Sequence, residues 1–195
     1  MSWLNWPNRI TIARTLLIAP LVICLLNLNE WGPARRTALA LWILMGAGDV
    51  LDGYLARRFG EATAVGRFLD PLGDKLMVTA AVILLAFDAT SIRGYELPNW
   101  VPVIVIGKDL VTVIGFGLVQ WVTHGKWSIR PRPLGKACTV LQWWMVLAVL
   151  VWPDMPSWWR WTAAGSWWLV AAAALAAAAD YVRVGNRFAA AAPEE

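Results

Sequence analysis

Six apolar segments, most of them close to the length of a bilayer-crossing helix, take up the greater part of the 195 residues. They run roughly from Ile12 to Leu28, Ala38 to Leu55, Leu76 to Phe87, Val101 to Val122, Leu134 to Trp152 and Trp161 to Ala179. A spanning helix needs about 20 such residues. Lipid offers no partner to a backbone amide, so segments of this kind must satisfy their own hydrogen bonds as helices. The expected fold class is all-α: a polytopic membrane protein of six transmembrane helices, forming a single domain over residues 1–195. The third segment is short and reaches spanning length only by recruiting Leu69 to Gly73.

Composition supports that class. Hydrophobic residues make up 59% of the chain and charged ones 15%, which excludes an ordinary soluble domain. The bilayer is the expected partner, and no nucleic acid is. Tryptophans such as Trp3, Trp6, Trp31, Trp100, Trp121, Trp127, Trp152, Trp158, Trp159 and Trp161 gather near the ends of the segments, where indoles anchor helices at the interface. Cys24 and Cys138 lie in apolar runs without partner spacing and read as small buried hydrophobes. Residues Ser2 to Trp6 are expected to form a short interfacial segment, and no cleavable signal peptide is expected.

Basic residues set the orientation. With both termini inside, the cytosolic side holds Arg9, Arg14, Arg57, Arg58, Arg67, Lys126, Arg130, Arg132, Lys136, Arg183 and Arg187, and the outer side holds Arg35, Arg36, Arg93 and Arg160. Eleven against four favours that arrangement.

Against this apolar background stand four aspartates. They fall in the pattern Asp49-x-x-Asp52-Gly53-x-x-Ala56-Arg57-x8-Gly66-x3-Asp70-x3-Asp74. An ionised carboxylate at membrane depth costs roughly 2.5 to 3.5 kcal/mol on insertion scales. On a helix Asp49 and Asp52 share a face at i and i+3, and Asp70 and Asp74 share one at i and i+4. Two such pairs on neighbouring antiparallel helices repel unless a cation neutralises them, and Mg²⁺ or Mn²⁺ takes oxygen ligands of this type. Gly53 lets a ligand approach the backbone, Ala56 leaves space one turn on, and Arg57 offers a fork of donors to phosphate. Gly66 is expected to open the connection before the second pair, and Asp70-Pro71 to start the following helix.

The whole string DVLDGYLARRFGEATAVGRFLDPLGDK resembles the signature of the CDP-alcohol phosphatidyltransferase family, every spacing intact. The segment Pro7-Asn8-Arg9-Ile10-Thr11-Ile12-Ala13-Arg14 is similar to the one that opens the first helix in these enzymes, and Pro133-Leu134-Gly135-Lys136 and Asp180-Tyr181 match more loosely. The resemblance implies an enzyme that moves a phosphatidyl group from CDP-diacylglycerol to an alcohol, with CMP leaving. It implies that Asp49, Asp52, Asp70 and Asp74 hold the metal ions, Mg²⁺ or Mn²⁺, and that Asp74 is also the catalytic base. It further implies that Asn8, Arg9, Ile10, Thr11, Gly53, Ala56, Arg57, Thr63 and Gly66 hold the CDP-diacylglycerol head group. A homodimer in the bacterial inner membrane, its active site facing the cytosol, is the implied assembly.

The motif speaks for the donor and leaves the acceptor to other residues. Lys108, Arg130, Arg132 and Lys136 are candidates for binding an acceptor phosphate, although loop basicity also follows from topology alone. Three segments, Pro7 to Arg14, Phe68 to Leu72 and Leu134 to Lys136, are most similar to family members that use glycerol 3-phosphate. Where those members usually carry Arg-Glu in the fourth span, this chain has Lys108-Asp109. Members that take phosphatidylglycerol resemble it nearly as well. Intramembrane carboxylates also mark cation transporters, but those tend to show paired halves, and the aspartate motif has no second copy here.

Overall fold

The computed structural model describes the backbone of residues 6–59, 64–122 and 133–191, and the side chains of residues 12–51, 73–115 and 133–183. Among the described residues it is all-helical: α1 (Trp6–Leu26), α2 (Ala34–Phe59), α3 (Ala64–Ala86), α4 (Trp100–Val122), α5 (Pro133–Val151), a 3-10 turn at Trp152–Asp154, and α6 (Trp159–Ala191). Each expected segment falls on one helix, and the helices overrun most of the expected ends because charged and small residues continue the backbone pattern that hydropathy alone does not detect. The short third segment is part of a 23-residue helix that recruits Leu69 to Gly73 and begins earlier still. Asp70-Pro71 therefore does not start the helix, and Gly66 does not lie in a connection; both are inside α3. Proline there forfeits one backbone bond to the residue four before it, a loss that the rest of the helix tolerates. The last helix runs to Ala191 rather than Ala179, continuing through the charged and polar stretch that starts at Asp180. The expected interfacial segment at residues 2–5 lies outside the described residues, while Trp6 itself begins α1.

Two stretches are long and apolar enough to cross a membrane among the described residues, Pro133–Asp154 and Trp159–Arg183, with mean hydropathies of 1.6 and 1.5; Ile12–Leu26 is apolar but shorter. Large hydrophobic side chains nevertheless face outward on all six helices, among them Leu16, Ile43, Leu76, Val103, Val140 and Leu169. An exterior this apolar is matched to lipid rather than to water.

The chain divides into two compact units. The first comprises residues up to Leu97 together with Val149–Met155. In it α1 packs on both α2 and α3. The buried residues recur at helical spacing: Leu21 and Leu25 on α1, Ala34, Ala38, Trp42 and Met45 on α2, and Met77, Ala81, Val82 and Leu85 on α3. One end of this unit is tied by polar contacts. Arg35 makes a bidentate pair with Asp154 at 2.8 Å and also donates to the Leu150 carbonyl at 2.8 Å. Asn29 donates to the Ser91 carbonyl at 2.9 Å, joining the α1–α2 and α3–α4 connections. Gly94, at a φ of 80°, makes the latter's tight turn.

The second unit comprises Pro98–Ala148 and Pro156–Glu195. Here α4 packs on α6, whose buried stripe of Ala163, Ser166, Val170, Ala174 and Ala177 is small enough to let helix backbones approach. Trp159 donates its indole N–H to the Ala148 carbonyl at 3.0 Å and packs against Trp144 and Trp158. The Tyr181 hydroxyl lies against Gly135, 3.5 Å from where a Cβ would stand. Cys24 and Cys138 are buried free thiols, as expected.

Candidate active site

Arg14 sits about 12 Å along α1 from Trp6, at 1.5 Å per residue, and is only 6% exposed. A guanidinium at that depth needs anionic partners. It has them: one of its terminal nitrogens bonds Asp49 Oδ1 of α2 and lies 3.4 Å from Asp74 Oδ1 of α3. By the same rise, Asp49 lies about 15 Å from the Phe59 end of α2 and Asp74 about 15 Å from the Ala64 end of α3. Three charges from three helices thus meet at one level, two to three turns in from the helix ends and away from the Arg35–Asp154 end of the unit.

The surroundings follow from local sequence. Gly73 precedes Asp74, and a Cβ there would stand 3.5 Å from Thr15 Oγ1, so α3 comes close to α1 beside the carboxylate. Arg14, Thr15, Ile18, Met45, Gly73, Asp74 and Met77 line an irregular cleft of about 160 Å³, nowhere wide enough to seat a water molecule. Asp74 is about one-fifth exposed, whereas Asp49 is nearly half exposed.

The donor set suits a hard divalent cation. It consists of carboxylate oxygens from two helices already drawn to one positive group, which is the chemistry Mg²⁺ and Mn²⁺ select. Among the described residues no three His, Cys, Asp or Glu side chains gather. Asp52 shares the α2 face of Asp49 by register, and Asp70 shares the α3 face of Asp74, but their side chains lie outside the described residues. So do those of Asn8, Arg9, Ile10 and Thr11 in the opening turns of α1, of Gly53, Ala56 and Arg57 in α2, and of Gly66 in α3. Thr63, Arg130 and Arg132 are outside altogether.

The two remaining acceptor candidates belong to the second unit. Lys108 is 8% exposed and its ammonium is 2.8 Å from Asp109 Oδ1, so the charge that interrupts the apolar run of α4 is paired with the next residue in sequence. Lys136 is exposed in the first turn of α5. Gln142, 2% exposed on the same helix, has a side-chain nitrogen with no hydrogen-bond partner among the described residues.

The sequence counts Arg14 among the topology charges and at the end of the Pro7–Arg14 segment that resembles the family; its pairing with the carboxylates is not legible there. The available signal is a lone arginine two residues into the first apolar run, an expensive position for a charge with only a topological job.

Comparison with known proteins agrees with this geometry. The family model described as CDP-alcohol phosphatidyltransferase matches residues 4–179. The chain is 38% identical over 156 residues, 74% of its own length and 74% of the relative's, to the CDP-diacylglycerol–glycerol-3-phosphate 3-phosphatidyltransferase of Bacillus subtilis (strain 168). It is 40% identical over 139 residues, 71% of each chain, to the protein of the same name from Rickettsia typhi. A CMP-forming cardiolipin synthase of Streptomyces coelicolor is 30% identical over 138 residues, 70% of this chain and 60% of the relative. A match over nearly the whole chain, with two of the motif aspartates drawn to one cation, leaves no place for the transporter alternative: the chain belongs to the CDP-alcohol phosphatidyltransferase family.

Proposed function

We propose that the protein transfers the phosphatidyl group of CDP-diacylglycerol to glycerol 3-phosphate, releasing CMP and forming phosphatidylglycerophosphate. The meeting of Asp49 and Asp74 at Arg14 carries this reading, in a chain whose relatives from B. subtilis and R. typhi bear the name of that reaction. The setting is a six-span protein of the bacterial inner membrane, both termini and the carboxylates toward the cytosol, assembled as a homodimer. The positive-inside count and the outward apolar faces support that setting.

In the proposed reaction the acceptor hydroxyl attacks the phosphorus that bears diacylglycerol, and the bond from that phosphorus to the CMP oxygen breaks. Asp74 takes the hydroxyl proton, a role that needs only a partly exposed carboxylate within reach of the acceptor. Asp49, Asp52, Asp70 and Asp74 would hold Mg²⁺ or Mn²⁺. Bound there, the ion would neutralise the charge gathering on the departing CMP. Asn8, Arg9, Ile10, Thr11, Gly53, Ala56, Arg57, Thr63 and Gly66 are proposed to hold the donor head group, and Lys108, Arg130, Arg132 and Lys136 to meet the acceptor's phosphate. Fixing two substrates in line supplies much of the rate by itself.

The test is CMP release by the purified full chain in mixed micelles with CDP-diacylglycerol and Mg²⁺. Release that depends on glycerol 3-phosphate is the expected result. Release that depends instead on phosphatidylglycerol moves the acceptor to the lipid used by cardiolipin synthases, the second reading favoured by the S. coelicolor relative. No release with either acceptor overturns the proposal.

A further inference from the structure

Among the described residues of the first unit Arg14 is the buried cation, and it sits against two of the carboxylates proposed to hold a metal. Arg14 bonds Asp49 and reaches Asp74 through the same nitrogen, and both contacts fall on carboxylates proposed to hold the metal. The cleft beside Asp74, which Arg14 helps to line, has no room for a water molecule. A divalent ion shared by these two oxygens would lie in contact with a group of like sign, an arrangement Coulomb repulsion disfavours. Without Arg14, and without a metal, two carboxylates from adjacent helices would face each other at membrane depth.

We infer that Arg14 is the positioning residue of the carboxylate site: its guanidinium stands in for the metal, holds Asp49 and Asp74 together in the metal-free protein, and moves aside when a divalent ion enters. The inference rests on the metal reading above. It makes the first helix a participant in metal loading, because the swing of Arg14 releases α1 from α2 and α3 at that level. The long, flexible arginine stem is suited to such a movement, and the exposed side of Asp49 gives it a path.

The experiment uses the full chain in detergent micelles, as wild type, Arg14→Gln and Arg14→Lys. Mn²⁺ binding is followed by the electron paramagnetic resonance of the free ion, and thermal midpoints by tryptophan fluorescence in EDTA and in saturating Mn²⁺. Arg14→Gln is expected to bind Mn²⁺ about tenfold more tightly, because the competing cation is gone. Its midpoint in EDTA is expected to fall below that of wild type, with Mn²⁺ closing the gap. Arg14→Lys keeps the charge but loses the fork, so it binds Mn²⁺ with intermediate affinity; it also serves as the comparison if the glutamine variant does not fold. Variants that bind Mn²⁺ no more tightly than wild type overturn the exchange and leave the metal reading standing. Absence of saturable Mn²⁺ binding by every form removes the metal reading and the exchange with it.

Discussion

The Arg14 guanidinium on α1 lies 3.4 Å from the Asp74 carboxylate on α3 while it bonds Asp49 on α2. One charge therefore joins all three helices of the first unit at the level of the proposed chemistry. Its low exposure means that this junction is shielded from bulk solvent on the arginine side and open on the Asp49 side.

Asp74→Asn keeps the shape of the side chain and removes its capacity to take a proton. CMP release in the presence of CDP-diacylglycerol, Mg²⁺ and acceptor is expected to fall by about 10² to 10⁴-fold, the usual contribution of a positioned general base. A circular dichroism spectrum matching wild type would accompany the loss. Turnover within a few-fold of wild type would take the base role away from Asp74.

Asp49→Asn removes the more exposed carboxylate of the pair. Because the Arg14 that it bonds is buried, the thermal midpoint is expected to fall, with Asp74 left as an acidic partner of the guanidinium. The Mg²⁺ concentration giving half-maximal CMP release is expected to rise as well. A titration of activity against Mg²⁺, paired with a thermal melt, separates the two effects.

Arg35→Ala disrupts the other end of the unit, where the side chain pairs with Asp154 and caps the Leu150 carbonyl. Loss of about 1 to 2 kcal/mol is expected, since one partner is a backbone acceptor and the other a half-exposed carboxylate. Donor and acceptor KM should be unchanged in the folded fraction. Steady-state kinetics at a temperature well below the melting midpoint would check this.

Ala174→Leu places three extra carbon atoms in the closed stripe of α6, where Ala174 is fully buried. Overpacking of that kind costs about 1 to 3 kcal/mol, so the thermal midpoint should drop without a change in Mn²⁺ affinity. The same substitution at Ala172, which is exposed on the same helix, should have little effect.

Lys136→Ala and Arg132→Ala are each expected to raise the KM for glycerol 3-phosphate more than the KM for CDP-diacylglycerol. Lys108→Ala should act differently, because it strips Asp109 of a partner at 2.8 Å and leaves a carboxylate in an apolar helix. Reduced yield of folded protein, measured by size-exclusion chromatography, is therefore expected for Lys108→Ala before any kinetic change.

Much of this protein is determined locally and is legible along the chain. Each apolar run read along the chain falls on one of the described helices, and the motif spacings put Asp49 with Asp52, and Asp70 with Asp74, on common faces by the helical repeat alone. Helix ends are less legible: hydropathy does not register the charged turns that lengthen α2 and α3 or the charged and polar stretch after Ala179 that extends α6. What the tertiary structure alone decides is which distant charges meet. Arg14 and Asp49 are 35 residues apart, and Arg35 and Asp154 are 119 apart. No spacing rule links such residues; packing of α1 on α2 and α3 brings the first pair together, and the return of the chain after α5 brings the second. A lone arginine in an apolar run signals that a partner must exist, because an unpaired charge is too costly there, but only the folded helices say which partner it is.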